Sequence, residues 1–170
     1  MKSKENNMNS KIKKAFVFDF DDTLATTNCS VIVRDENANE ILKLTPAEFN
    51  SYKLDENEHF DFSEFYLLID PKETELFTLA REVYNEGHAC FILTARGSIA
   101  GKAIASFLID HGIVAKEIHC VGDEAGSIEE NKRKVLLAII EGYDKIYFYD
   151  DHAGNIESAP DSNKLKTYLV

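Results

Sequence analysis

Short apolar runs alternate along the chain with segments of helical spacing. Each run spans a few residues and ends in polar residues, the pattern of a strand buried in a parallel sheet. The four clearest runs cover residues 15–18, 89–93, 117–121 and 145–149. A further strand is possible at residues 167–170, where the pattern is shorter.

Helices are predicted between these strands. Apolar residues recur at helical spacing over residues 99–110 and 128–141, and Asp70-Pro71 is expected to open a third helix that ends near Gly87. Strands that alternate with helices of this length form crossover units. The pattern therefore predicts an α/β fold: a three-layer, Rossmann-like parallel sheet with helices on both faces.

Residues 25–69 depart from the alternation and are predicted to form a small cap insertion after the first strand. Residues 29–34 and 41–44 predict a β-hairpin with a turn between them. Thr45-Pro46-Ala47-Glu48 has the order of a capping box with proline at the first helical position, so a short helix should follow. The acidic, aromatic remainder is expected to be irregular, with one strand near residues 60–62.

The length of 170 residues suits a single domain, predicted over residues 15–170 behind a flexible arm at 1–14. The net charge of −11 makes extensive nucleic-acid binding unlikely, because such binding needs a basic face. No apolar run is long enough for a membrane span, and the polar, basic amino terminus lacks the apolar centre of a secretory signal. Three widely spaced cysteines form neither a zinc pattern nor a disulfide framework, so a cytoplasmic location is expected.

Carboxylates cluster where two of the predicted strands end. Asp19, Asp21 and Asp22 follow the first strand, and Asp150 and Asp151 follow the strand at 145–149. An acidic helix cap or turn explains one aspartate at each place and leaves the others unexplained. Parallel sheets bind ligands at the carboxyl ends of their strands, and crowded carboxylates need a cation or a shared proton. The sequence therefore predicts a metal site at this edge.

The segment Asp19-Phe20-Asp21-Asp22-Thr23-Leu24 resembles the first motif of the haloacid dehalogenase (HAD) superfamily, Asp-x-Asp-x-Thr after an apolar strand. Partners for the remaining motifs follow in order: Thr94 at a strand end, Lys132 near a helix start, and the pair Asp150-Asp151. Lys134 is an alternative to Lys132 for the motif lysine. Asp22 departs from the motif where glycine is common, and Asn155 departs where aspartate is common.

The resemblance implies a HAD phosphatase with a small cap. Asp19 would be the nucleophile and Asp21 the general acid and base, while Thr94 would hold a phosphate oxygen and Lys132 would neutralise charge. Magnesium is the implied cofactor, with its ligands drawn from Asp19, the backbone carbonyl of Asp21, Asp151 and the neighbouring Asp150. Substrate contacts are expected from Thr94, Ala95, Arg96 and Lys132.

The predicted activity is magnesium-dependent hydrolysis of phosphomonoesters through an aspartyl-phosphate. Its substrate would be a small-molecule or nucleotide phosphate ester. One alternative is a polynucleotide or nucleotide 3′-phosphatase, because the segments Thr94-Ala95-Arg96 and Asp150-Asp151 are similar to those of polynucleotide 3′-phosphatase domains and small phage-type phosphatases. The alternative from another class is a noncatalytic phosphate-binding or signalling module. An insertion this small should leave the site open to large substrates.

Overall fold

The computed structural model describes residues 11–170, so residues 1–10 of the predicted arm lie outside the described part. In chain order, the strands are β1 (Lys14–Phe18), β2 (Ala25–Thr26), β3 (Val31–Arg34), β4 (Glu40–Leu44), β5 (His59–Asp61), β6 (Lys72–Glu73), β7 (Ala89–Thr94), β8 (Glu117–Cys120), β9 (Lys145–Asp150) and β10 (Leu165–Leu169). The α-helices are α1 (Pro46–Phe49), α2 (Leu76–Asn85), α3 (Gly101–Asp110), α4 (Ile128–Gly142) and α5 (Ala153–Glu157). Two short 3-10 helices cover Ser63–Tyr66 and Ser98–Ala100.

The core of the molecule is a five-stranded parallel sheet in the order β10-β9-β1-β7-β8. Strand β1 lies in the middle, paired with β7 on one side and β9 on the other. The predicted Rossmann-like parallel sheet is thus confirmed. Its fifth strand is also present, as β10, and starts two residues earlier than the pattern indicated.

Helices cover both faces of the sheet. The side chains of β1 alternate between the two faces, so both faces carry apolar side chains that need cover. Phe16 and Phe18 point to the face covered by α2 and α3, whereas Ala15 and Val17 point to the face covered by α4 and α5. Each face has its own apolar core. A strand buried on both sides reads as a continuous apolar run, which is why the sequence revealed it.

The cap insertion contains the predicted hairpin, β3 and β4, to which β5 adds a third antiparallel strand. Strand β5 begins and ends one residue earlier than the strand predicted near residues 60–62. Helix α1 begins with the predicted capping box: the Thr45 side chain accepts from the Glu48 N–H, and the Glu48 carboxylate accepts from the Thr45 N–H. At its base the insertion is closed by a bond of 2.8 Å from the Asn28 N–H to the Ile69 carbonyl.

The helix expected to open at Asp70-Pro71 starts later, at Leu76. Residues Lys72–Glu73 instead pair, as β6, with Ala25–Thr26. This two-residue ladder ties the segment that leaves β1 to the segment that enters α2, so the backbone there is extended and cannot be helical. The predicted end of that helix holds, because Gly87 follows it with φ of +85°, the left-handed region that glycine favours.

Within residues 11–170, no helix is both long enough and apolar enough to cross a lipid bilayer.

Candidate active site

The ends of β1 and β9 bring two groups of aspartates to one edge of the sheet. The Asp19 N–H donates to the Tyr149 carbonyl at 2.9 Å, which continues the β1–β9 ladder one residue past β1. Asp19 therefore lies beside Asp150 at the carboxyl edge, the edge where parallel sheets bind ligands. Both side chains are buried, with 6% of Asp19 and none of Asp150 exposed.

A tight turn follows Asp19 and reverses the chain. The Phe20 carbonyl accepts from the N–H groups of Thr23, Leu24 and Ala25, and the Asp22 N–H donates to the Ala25 carbonyl. Asp22 adopts φ of +57°. This left-handed conformation favours glycine and is tolerated by aspartate, which accounts for the departure from the motif at that position.

Lys132 connects the two groups of aspartates. Its ammonium group donates to Asp19 Oδ1 at 2.9 Å and to Asp150 Oδ2 at 2.7 Å, and the side chain is buried. Helix α4 sets this position because its amino terminus, capped by Ser127, lies at the same edge of the sheet. Lys134 is exposed and donates instead to Asn131 Oδ1 at 3.3 Å. Of the two candidate lysines, only Lys132 contacts the aspartates.

Asn155 is a buried residue that holds Asp150 in place. Its Nδ2 lies 3.0 Å from each oxygen of the Asp150 carboxylate, and the His152 N–H donates to Asp150 Oδ1 at 2.9 Å. Together with Lys132, these donors engage both Asp150 oxygens. Asparagine at position 155 thus supplies a donor where an aspartate could only accept.

Three carboxylates lie close enough together to hold a cation: Asp19, Asp150 and Asp151 each offer an oxygen, all within 4.8 Å of one another. Asp151 is the exposed member, and the Thr23 hydroxyl lies 3.5 Å from both Asp151 Oδ1 and Asp19 Oδ2. When all three carboxylates are ionised, this group together with Lys132 carries a net charge of −2. Asp150 already accepts from Lys132, Asn155 and the His152 N–H, so Asp19 and Asp151 have more free lone pairs for a cation.

Burial and neighbouring charges perturb the protonation of this cluster. Burial raises the pKa of Asp19 to about 7, opposed by Lys132 and reinforced by Asp150. For Lys132, burial alone would lower the pKa, but the attraction of Asp19 and Asp150 outweighs it and raises the pKa. The ammonium group of Lys132 therefore stays charged. A cation beside Asp19 would favour the ionised form of the Asp19 carboxyl group.

The Asp21 carboxylate lies outside the three-carboxylate group and pairs with Arg96. Arg96 Nε donates to Asp21 Oδ2 at 2.8 Å and Arg96 Nη2 to Asp21 Oδ1 at 2.7 Å, a bidentate ion pair. The guanidinium, of which 4% is exposed, also donates through Nη1 to the carbonyls of Phe65 and Leu67 in the cap, at 2.9 and 2.7 Å. Arg96 was expected to contact the substrate; here its donors serve Asp21 and the cap.

Thr94 ends β7 at the same edge as Asp19. Its side chain is buried, and its hydroxyl oxygen accepts from the Arg96 N–H at 3.2 Å, so the hydroxyl proton remains able to donate. Ala95, between the two, is exposed. Gly122, just after β8, lies against this loop so closely that an added Cβ would be 2.3 Å from the Ala95 carbonyl oxygen.

Two contacts at the site were absent from the sequence-based expectations. The Arg96–Asp21 ion pair joins residues 75 positions apart, and no local sequence pattern predicts a contact over that separation. The role of Asn155 had a local signal, since it follows the acidic strand end at the spacing of the motif's polar residue. The sequence pointed to a polar contact there but not to its partner, Asp150.

No protein-family model matches this chain, and neither does any curated protein. Among solved structures, the chain is similar to a chain of the Pnkp1/Rnl/Hen1 RNA repair complex, with a TM-score of 0.60 and 14% sequence identity. The match covers 94% of this chain and 42% of that chain, so this chain spans less than half of its neighbour's length. At this identity the likeness establishes a shared fold and nothing further.

Proposed function

We propose that the chain is a magnesium-dependent phosphomonoester phosphatase that works through an aspartyl-phosphate on Asp19. The observation that carries the proposal is the buried bridge of Lys132 between Asp19 and Asp150, beside Asp151, at the carboxyl edge of the sheet. Burying one ammonium and two carboxylates costs free energy that a purely structural site recovers poorly. Such arrangements occur where perturbed charges serve chemistry.

The charge and chemistry of the cluster fit a divalent cation. A net charge of −2 would repel a phosphate dianion, and oxygen ligands suit Mg²⁺. Asp19, Asp151 and the Asp21 backbone carbonyl would hold the ion, which would supply charge neutralisation and orientation of the phosphate.

The first half of the reaction transfers the phosphoryl group to the protein. An oxygen of Asp19 attacks phosphorus, the bond from phosphorus to the ester oxygen breaks, and Asp21 gives that oxygen a proton. In the second half, Asp21 takes a proton from water as the water attacks phosphorus. The Asp19–phosphorus bond then breaks, which releases inorganic phosphate and restores the Asp19 carboxylate.

Lys132 and Thr94 have supporting roles in this proposal. The ammonium of Lys132 keeps one Asp19 oxygen oriented and offsets charge as the phosphoryl group approaches. The free hydroxyl proton of Thr94 would donate to a nonbridging phosphate oxygen.

Arg96 would act through Asp21. Its two bonds fix the orientation of the Asp21 carboxylate, and its bonds to the cap carbonyls fix the guanidinium in turn. A carboxyl group that is both acid and base must stay oriented through two proton transfers. Proton transfer would use the oxygen lone pairs that the guanidinium leaves free.

Turnover of a chromogenic aryl phosphate tests the proposal. Wild-type protein should release phosphate with magnesium and stop with excess EDTA, and Asp19→Asn should be inactive although folded. Asp55→Asn is the matched control, because Asp55 is exposed on the cap and its N–H donates to Glu58, also in the cap. Asp21→Asn should be slower and should accumulate a phosphoenzyme, visible as one added phosphoryl group by mass spectrometry. Full activity of Asp19→Asn would refute the assignment of Asp19 as nucleophile. No activity of the wild type on any phosphomonoester would refute the proposal as a whole and favour a noncatalytic phosphate-binding or signalling module.

A nucleic-acid end is the second candidate substrate, supported by the fold shared with a chain of an RNA repair complex. A 3′-phosphorylated oligonucleotide, a mononucleotide and a small sugar phosphate should be compared at two salt concentrations. Preference for the oligonucleotide would favour a 3′-phosphatase, and preference for the sugar phosphate would indicate that the cap encloses small substrates.

A further inference from the structure

A groove of about 910 Å³ lies at the edge of the sheet opposite the aspartates. It is bordered by the residues at the starts of β1, β7 and β8 and by the second half of α4. Its volume falls within the range of about 300–1,000 Å³ typical of small-molecule sites. None of the residues assigned to the proposed phosphatase site lines it.

The rim of this groove is basic. Five lysines line it. Lys134 donates to Asn131 Oδ1 at 3.3 Å, and the ammonium groups of the other four, Lys11, Lys13, Lys14 and Lys116, pair with no carboxylate within residues 11–170. The lining carboxylate, Glu117, faces His119 at 2.9 Å. In a chain with net charge −11, four such lysines around one concavity form a local positive field that attracts an anion.

The floor of the groove is aromatic. Phe91 stacks on His119 with ring centroids 6.3 Å apart and meets Tyr143 edge to face at 5.7 Å. The ammonium of Lys116 lies 5.9 Å from the centre of the Tyr143 ring, which joins the basic rim to the aromatic floor. Flat apolar surface next to cations fits a ligand that carries both a ring and an anionic group.

We propose that this groove binds a nucleotide unit, with its base against the floor formed by His119 and Tyr143 and its phosphate among the four lysines. Aromatic side chains stack on any base, and ammonium groups contact phosphate without regard to sequence. An extended acidic peptide fits less well, because its charges would spread along an edge rather than converge on a concavity. The site is independent of the proposed phosphatase activity.

Binding should be measured on the full chain in EDTA, which keeps the proposed phosphatase from turning over the probes. The probes are adenosine monophosphate, a short single-stranded oligonucleotide without terminal phosphates, and inorganic phosphate. We expect the nucleotide probes to bind at least about tenfold more tightly than inorganic phosphate, because only they present a ring. Tighter binding of the mononucleotide would identify a free nucleotide as the source of the ligand, and tighter binding of the oligonucleotide a strand.

Charge reversal locates the site. Lys116→Glu should weaken nucleotide binding by about tenfold or more, whereas Lys53→Glu, at an exposed lysine of the cap, makes the same charge change and should leave it unchanged. NMR signals of His119 and Tyr143 should shift on titration, and Asp19→Asn should bind as the wild type does. Equal binding of phosphate and nucleotide, no nucleotide binding, or binding unaffected by Lys116→Glu would each overturn the proposal.

Discussion

The buried ammonium of Lys132 shows how much one residue contributes at this edge of the sheet. Its two carboxylate partners are more than nine-tenths buried, so without it they would face one another without a cation. Removing one partner from a buried ion pair typically costs about 3–5 kcal/mol. Loss of the ammonium alone would therefore destabilise the fold, because it would leave two buried carboxylates without their cation.

We predict that Lys132→Met lowers the free energy of unfolding by about 3–5 kcal/mol in metal-free protein and abolishes phosphatase activity. Lys134→Met, the matched control two positions away on the exposed side of α4, should change stability by less than about 0.5 kcal/mol and keep its activity. Urea denaturation and turnover assays measure both. Equal effects of the two substitutions would contradict this assignment of the lysine.

Asn155→Asp should destabilise the protein although aspartate is the commoner residue at the corresponding motif position. The change replaces the donor that contacts both Asp150 oxygens with a fourth carboxylate, added to Asp19, Asp150 and Asp151. We expect a loss of about 1–3 kcal/mol at neutral pH, and a smaller loss for Asn155→Ser, which adds no charge. Urea denaturation of the two variants tests this; a more stable Asn155→Asp would show that Lys132 and a metal can offset the added charge.

Site residues at strand ends could be identified from the sequence, because each one stands directly after a recognisable apolar run. Asp19, Thr94 and Asp150 each follow an apolar run, and the structure brings all three to one edge. The pairing of Arg96 with Asp21 could not be predicted in this way. It depends on how the loop after β7 meets the turn after β1, and tertiary packing alone decides that contact.

Among the elements, the loop after β7 is positioned by the end of β8. Gly122 leaves no room for a Cβ against the Ala95 carbonyl. Gly122→Ala should therefore push this loop away, cost about 1–3 kcal/mol and reduce turnover, because Thr94 and Arg96 lie in or next to it. Gly142→Ala is the matched control: no atom lies within 4 Å of its added Cβ, so stability should be unchanged or rise by about 0.5 kcal/mol. Denaturation midpoints and kcat would distinguish them, and equal values would refute the argument.

Arg96 links the cap to the turn that carries Asp21, so its substitution should affect both elements. Arg96→Lys cannot reproduce the two-pronged contact with Asp21 while it also serves the cap carbonyls. We predict a reduced kcat with little change in KM, together with faster amide hydrogen exchange in the 3-10 helix Ser63–Tyr66. A large rise in KM with an unchanged kcat would instead show that Arg96 binds the substrate phosphate directly.

The elements found from the sequence have an apolar pattern or a capping box, and those missed, which include β2 and β6, have neither. Strands β2 and β6 have two residues each, too few for any alternation to be visible. Their pairing also explains why α2 starts at Leu76 and not at Asp70-Pro71 as predicted. Pro71 indicates a turn, but it carries no information about the pairing of β6 with β2. Strand propensity is a property of one segment, whereas a two-residue ladder forms only when a second segment pairs with it.

On the scale of the whole molecule, a metal at the aspartate edge should stabilise the fold. The carboxylates that would hold it come from strands β1 and β9, so the ion would join two parts of the sheet. At a free Mg²⁺ concentration of 100 times Kd, the gain is about 2.7 kcal/mol, or roughly 5–10 °C in Tm for a chain of this size. Calorimetry in EDTA and in Mg²⁺ measures it, and Asp151→Asn should remove most of the shift. A Tm of the wild type that does not respond to Mg²⁺ would argue against a metal site.

The strand order has a consequence for how the protein is made. Strand β1 is synthesised before both of its neighbours in the sheet, β7 and β9, and Thr23 and Asp151, whose side chains meet, are 128 positions apart. At about 5–20 residues per second, a ribosome needs roughly 6–26 seconds to cover that distance. For that time the apolar strand Lys14–Phe18 lacks its β9 partner on one side. The nascent chain therefore cannot assemble the Lys132 bridge until β9 has emerged, so any activity of the site begins only after that strand has left the ribosome.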